Sequence, residues 1–308
     1  MGTPVLQLEP SGTPLASPPT RGGHASPSET LGHLADLVRT LGGGAEALGG
    51  DEARLPIALW HVRQGAVLFH EGSRVQDLHV MRSGTMRCVK TAEDGYEQVL
   101  SFAGLGEVLG FDALCRGTQP VSAQALEECT VYVLPLQDLR GLRLHSPAFD
   151  QALLLALSRQ LARAAELTEM MAAVAADVRL ARFLLWMSSR MAELGRSPRR
   201  LHLAMCRRDI ASCLGVAHET VSRSFSALAD GGCIKVNNRE VELLDLARLQ
   251  ARARSTRNVG DDLPADHGHA EAPHGRRAGP VWWAGIELAG TAAGWAHRRA
   301  SAGLREPT

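Results

Sequence analysis

The chain lacks what several large classes of protein require. No run approaches the roughly 20 consecutive apolar residues that a membrane helix needs. The N-terminus lacks the basic-then-apolar pattern of a secretory signal. Net charge is absent as well, since 33 Lys and Arg meet 33 Asp and Glu. That balance excludes a wholly basic nucleic-acid coat protein and an acidic solvating chain, but says nothing against a local basic face. No Cys precedes position 88, and Cys88, Cys115, Cys129, Cys206, Cys213 and Cys233 form no C-x-x-C pair. Such scattered cysteines read as reduced, packed thiols, without a ligand set for structural zinc or an iron–sulfur cluster. Enzyme signatures are missing too. There is no phosphate-cradling Gly-Lys loop, no nucleophile elbow and no metal-binding helix. The expectation is a cytoplasmic protein with no membrane partner and no enzymatic activity.

What is present divides the 308 residues, 45% of them hydrophobic, into segments. Residues 1–50 read as a disordered extension. The first 30 carry six Pro and four Gly among Ser and Thr, too little apolar surface to offset ordering entropy. Within that extension Leu31–Leu41 has the makings of one short helix, ended by Gly42–Gly44. Residues 51–145 change character. Short alternating runs recur at Ala66–Phe69, Leu78–Met81, Thr85–Lys90, Gln98–Phe102, Ala123–Leu126 and Thr130–Leu134, separated by glycine-containing turns. That spacing predicts a compact all-β roll or barrel.

Residues 146–176 predict one long helix, with Ser146 as N-cap and Pro147 at the first helical position. Leu154, Leu157, Leu161, Ala164, Thr168 and Met171, continued by Ala175, alternate in steps of three and four. That narrow stripe suits the seam of a two-stranded coiled coil, so a homodimer is expected. A helix packed on its own domain is the alternative. Asp177–Leu194 predicts a second helix, with Leu180, Phe183, Leu184, Trp186, Met187 and Met191 inward and Gly195 as its stop. A short extended piece, Arg200–Met205, follows. Residues 251–308 read as a disordered tail. His267, His269 and His274 lie there with nothing to order them, and Val281–Leu288 is a candidate docking segment.

The stretch at 207–226, RRDIASCLGVAHETVSRSFS, carries the most information. A DNA-binding helix-turn-helix needs a small residue where its helices cross, a residue tolerant of positive φ at the turn, and apolar residues that lock the helices together. Ala211 and Gly215 meet the first two needs. Ile210, Leu214, Val216, Val221 and Phe225 meet the third. On the second helix Glu219, Ser222 and Arg223 share one non-apolar face. Arg reads guanine O6/N7, Glu accepts from cytosine N4, and Ser bonds several base edges. A solvated helix face with a Glu–Arg pair is the plainer alternative. Between 178 and 239 eleven basic residues stand against four acidic ones, a surplus that phosphate contacts need. Arg207, Arg208, His218 and Thr220 are the supporting candidates. Cys233–Val236 and Glu240–Leu243, joined by Asn237-Asn238, predict a β-wing. The residues 177–250 therefore predict a winged helix-turn-helix.

A β-roll, a long helix and a winged helix in that order resemble the Crp/Fnr superfamily of bacterial transcription regulators, nearer its Fnr branch. The matching stretches are RSGT (82–85), DGYEQVLSF (94–102), GEVLGFDAL (106–114), AQALE (123–127), SPRRLHLAMCRRDIASCLG (197–215) and ETVSR (219–223). The resemblance implies an α+β architecture: a double-stranded, cyclic-nucleotide-binding-like β-roll, a dimerisation helix and a C-terminal winged helix. It also implies that Glu219, Ser222 and Arg223 read TTGAT-like half-sites paired as an inverted repeat. RNA polymerase is then a partner, with the loops around Asp94-Gly95 and Arg116–Pro120 as candidate surfaces.

Departures from the family matter for cofactors. The cyclic AMP receptor branch has Arg immediately before the equivalent Glu, and here that residue is His218. Gly106-Glu107 is present, but Gln119-Pro120-Val121-Ser122 offers no Arg to anchor a cyclic phosphate. The iron–sulfur members use an N-terminal cysteine trio and one β-roll cysteine. Here the N-terminus has none, and Tyr132 stands at the β-roll position, with Cys129 three residues away. Neither a cluster nor cyclic AMP is expected. A cyclic-nucleotide- or haem-gated roll, with haem on His61, His70 or His79, is the alternative; a thiol switch at Cys88, Cys115 or Cys129 and no ligand at all stay open too. The last leads, because the dimer stripe centres on Ala164 and carries no acidic residue to make pairing conditional. Ala217 stands where the family usually caps the recognition helix with Ser or Thr.

Overall fold

The computed structural model describes residues 28–173 and 175–254. The expectations for residues 1–27, and for the tail from 255 onward with its histidines and Val281–Leu288, lie outside them. Chain order begins with β1 (Ser28–His33), α1 (Leu34–Thr40), a one-turn α2 (Gly50–Ala53) and β2 (Pro56–Val62). Then come β3 (Val67–Phe69), β4 (Asp77–Ser83), β5 (Met86–Thr91), β6 (Glu97–Ala103), β7 (Val108–Leu109), β8 (Ser122–Ala125) and β9 (Cys129–Pro135). The helical part holds α3 (Leu136–His145), α4 (Pro147–Met171) and α5 (Ala176–Glu193). The last group is β10 (Arg200–His202), α6 (Arg207–Leu214), α7 (His218–Asp230), β11 (Ile234–Asn237), β12 (Glu240–Leu243) and α8 (Leu246–Arg254).

Two antiparallel sheets make the roll, in the orders β1-β2-β9-β4-β7 and β3-β8-β5-β6. Their facing sides share one core that includes Val62, Met81, Met86, Leu109, Ala123, Val131 and Val133. All six strands read from alternation are present. β1, β2 and β7 were not among them.

The N-terminal reading needs a correction. Residues 28–50, expected to be disordered, belong to the fold. β1 pairs antiparallel with β2 along its whole length. Leu34, Leu37, Val38 and Leu41 are fully buried, and this i, i+3, i+4, i+7 spacing gives α1 one apolar face. That face packs with Phe149, Leu153 and Ala156 of α4 and with Tyr132 of β9. The glycine run after α1 is a packing requirement rather than a linker. A Cβ on Gly43 would lie 2.7 Å from the Cβ of Ala152.

α4 is built as its ends predict. Ser146 Oγ accepts from the Phe149 amide at 3.3 Å, with Pro147 in the first turn. Phe149, Ala152, Leu153 and Ala156 bury one face against the roll and α1. The stripe read as a seam lies mostly on the other side. Leu154 is 53% exposed and Leu161 75% exposed, and Ala164 and Thr168 are exposed too. Leu157 and Met171 are half-buried. The winged-helix unit runs past residue 250, because Leu249 and Ala253 of α8 join its core.

Candidate nucleic-acid interface

α6 and α7 form the expected helix-turn-helix. Ala211 is buried at the crossing. Gly215 ends α6 in the left-handed region at φ +63°, which glycine adopts at little cost. Val216 N–H then donates to Ala211 O at 3.0 Å. Val221, Phe225 and Leu228 lock α7 inward beside Ile210 and Leu214. β11 and β12 pair antiparallel through a turn in which Asn238 takes φ +55°. The sheet β10-β12-β11 completes the wing.

The candidate base readers all lie on α7. Glu219 and Arg223 are exposed and Ser222 is half-buried. Among the described residues no ion pair joins Glu219 to Arg223. Arg223 reaches Thr220 Oγ1 at 3.4 Å instead. Ser222 Oγ donates to His218 O at 3.1 Å, which leaves its lone pairs to accept. His218 and Arg208 are exposed. Ala217 caps α7 with extended backbone and no side-chain bond.

Not every nearby arginine faces outward. Arg207 lies over the Phe225 ring, 3.3 Å from its centroid, and burial pushes its guanidinium pKa down. It braces α6 against α7. Arg179 donates to Leu214 O at 2.7 Å and to Ala173 O, capping α6 from α5. Arg190 points into the roll. Arg208, Arg223, Lys235 and Arg239 keep exposed positions on this unit.

Sequence reasoning missed two residues that tie this unit to the roll. Glu107, 6% exposed, is bonded by Arg163 of α4 at 3.0 Å and Arg190 of α5 at 2.8 Å. It also accepts from the Gly104 amide at 2.7 Å, and Arg163 continues to Glu193 at 2.8 Å. Ser212 of α6 meets the edge of β6. The signal for Glu107 was present in the sequence as Gly-Glu, but its partners lie far away along the chain.

A β-roll joined by a long helix to a winged helix-turn-helix with an open polar reading face is a DNA-binding regulator. The comparisons with known proteins narrow that class. A cyclic nucleotide-binding domain model matches residues 59–146 and a Crp-like helix-turn-helix model matches residues 178–252. The fumarate and nitrate reduction regulatory protein of Salmonella typhimurium is 33% identical over 198 residues, 64% of this chain and 79% of that protein. Its Escherichia coli K12 counterpart is 32% identical over the same span. FixK2 from Bradyrhizobium japonicum shares the fold at a TM-score of 0.57 and 24% identity, covering 65% of this chain and 98% of that one. CooA from Carboxydothermus hydrogenoformans gives 0.53 and 20%, covering 64% and 88%. The chain belongs to the Crp/Fnr family: it is a transcription regulator with a DNA-binding helix-turn-helix, not an enzyme. No helix among the described residues is long and apolar enough to cross a membrane.

Proposed function

We propose that the protein acts as a homodimer that reads TTGAT-like inverted repeats with Glu219, Ser222 and Arg223, and that it needs neither an iron–sulfur cluster nor a cyclic nucleotide to do so. The carrying observation is the open polar face of α7, whose other side is locked into the core. The exposed Leu154 and Leu161 support pairing of two α4 helices. Loops around Asp94-Gly95 and Arg116–Pro120 are the surfaces assigned to RNA polymerase.

The cofactor reading rests on donor chemistry. Among the described residues no group of three or more His, Cys, Asp or Glu could hold a metal ion. Tyr132, at the position of the β-roll cysteine, is fully buried against α1. The residues present therefore do not fit a cluster. They do not fit a cyclic phosphate either, because Glu107 is bound by two arginines and Gln119–Ser122 supplies no cation. Burial pushes the Cys88 thiol up to about 12 and Cys129 up to about 11, so neither is a ready thiolate. A second reading, a haem-gated roll, has one observation behind it. His79 is buried with both ring nitrogens unpartnered, whereas His61 and His70 are exposed.

The test is a fluorescence-anisotropy titration of aerobically purified protein against a TTGAT-NNNN-ATCAA duplex, beside a scrambled duplex, at physiological salt. Affinity in the nanomolar range with selectivity is the expected result. Weak or unselective binding in air, restored by haem, would favour the second reading. A monomeric mass in sedimentation at micromolar concentration would end the dimer reading.

A further inference from the structure

β6 is an edge strand of the sheet β3-β8-β5-β6. An edge strand leaves N–H and C=O groups without ladder partners. Here one side chain of the DNA-binding unit takes that place. Ser212 Oγ accepts from the Val99 amide at 2.9 Å and faces Glu97 O at 3.5 Å. Tyr96 Oη adds a bond to the same hydroxyl at 3.3 Å. One helical turn earlier, Asp209 accepts from Arg87 of β5 at 2.9 Å. Asp209 is itself fixed, because its other oxygen caps α6 by accepting from the Cys206 amide at 2.9 Å. Arg87 is fixed on the roll by Gln124 at 2.6 Å and Glu97 at 3.0 Å. Apolar packing continues between these points, since Val89, Val99 and Phe102 belong to the same core as Leu214, Val221 and Phe225.

Asp209 and Ser212 stand at i and i+3, so they share one face of α6. That face is given to the roll, while Arg208, Glu219 and Arg223 stay exposed. The clamp therefore holds the helix-turn-helix without covering its reading face. We infer that Arg87 and Ser212 are positioning residues for operator recognition, fixing the bearing of α7 relative to α4 and so the spacer length that a dimer accepts. This rests on the dimeric reading proposed above. Two recognition helices must enter major grooves about 34–36 Å apart. One added base pair moves a half-site by about 3.4 Å along the axis and turns it by about a tenth of a turn. A rigidly clamped pair cannot follow that displacement, whereas a loosely hinged pair can.

The experiment compares wild type, Ser212→Ala and Arg87→Lys. Both changes leave the net charge intact, and Lys lacks the planar fork that holds Gln124, Glu97 and Asp209 together. Anisotropy titrations use inverted repeats with the preferred spacer, one base pair less and one more, together with a single half-site duplex. Wild type should favour its best spacer by about tenfold or more, the cost of one mismatched position. Each variant should compress that preference below about threefold while holding single half-site affinity within about twofold, since no base contact is lost. A merely structural role would lower all affinities together. An unchanged spacer preference overturns the inference, and so does tighter binding of the variants to every duplex, which would make the clamp a brake. If wild type separates no inverted repeat from scrambled DNA, it is the dimeric reading that fails. The clamp is then judged by amide exchange in the free protein. Val99 should be protected in wild type and exposed in Ser212→Ala, and rapid Val99 exchange in wild type overturns it.

Discussion

Glu107 offers the sharpest test of how the roll is tied to the helices, through the substitution Glu107→Ala. The carboxylate is nearly buried and receives Arg163, Arg190 and the Gly104 amide. Burial pulls the Arg163 guanidinium pKa down, but Glu107 and Glu193 outweigh it and the net direction is up, so Arg163 stays charged near neutrality. Removing one partner of a buried pair leaves an uncompensated charge and costs about 3–5 kcal/mol. Arg163 retains Glu193 at 2.8 Å, which places the estimate at the lower end. For a chain of this size each kcal/mol shifts the melting temperature by about 2–4 °C, so a fall of at least about 6 °C is expected. Circular-dichroism melts at neutral pH provide the assay. The double substitution Glu107→Leu with Arg190→Met removes both central charges. It should recover the part of the loss that comes from the uncompensated charge and leave the roughly 1–3 kcal/mol of an unpaired Gly104 amide. A fall below about 2 °C for Glu107→Ala would refute the reasoning, because it would mean that water or a rearranged side chain already screens the two guanidiniums.

Ala217→Thr supplies the missing cap of α7 and should add about 1 kcal/mol, read as a rise in melting temperature. Base preference should not move, and a changed preference would displace the assignment of Glu219, Ser222 and Arg223. Burial pushes His79 down to about 4, against about 6.5 in the unfolded chain. The unfolded state then binds the extra proton between those values. Stability is fully present above about 6.5 and falls by about 1.4 kcal/mol per unit as pH drops toward 4. His79→Leu should remove that part of the slope in urea titrations, and an identical slope in both proteins would disprove the assignment. Arg223→Ala should cost about 1–3 kcal/mol on the cognate duplex and relax selectivity at one base pair. Arg208→Ala should instead weaken binding to all sequences and flatten the dependence on salt; selectivity lost with Arg208 would reverse the two roles.

The helix-turn-helix was legible because its logic is local. Ala211, Gly215 and Val221 lie within three turns of one another, and each performs its task through its immediate neighbours. The cap at Ser146 and the wing turn at Asn237-Asn238 were readable for the same reason. β1 was not, because SETLGH has no strict alternation and owes its pairing to β2. The two residues of β7 are too few for any period to be seen. Leu34, Leu37, Val38 and Leu41 did carry a helical period, but the surrounding glycines and prolines resembled a linker. Nothing local reveals that Phe149, Leu153 and Tyr132 wait to cover those side chains.

Charge shows the same divide. Counted along the chain, residues 178–239 have a large basic surplus, and all of it looks available to phosphate. In space, Arg179 caps α6, Arg190 enters the hub at Glu107, and Arg207 braces Phe225. These three are committed to contacts inside the protein, Arg190 buried and Arg179 and Arg207 half-buried. Two of the acids are paired from outside the segment, the exposed Glu193 by Arg163 and the buried Asp209 by Arg87. An unpaired Asp209 in the first turn of α6 would set a negative charge beside the exposed Arg208. The arginines of the roll and of α4 thus shape the field of the reading unit without standing on it, and no count confined to the segment could have found that.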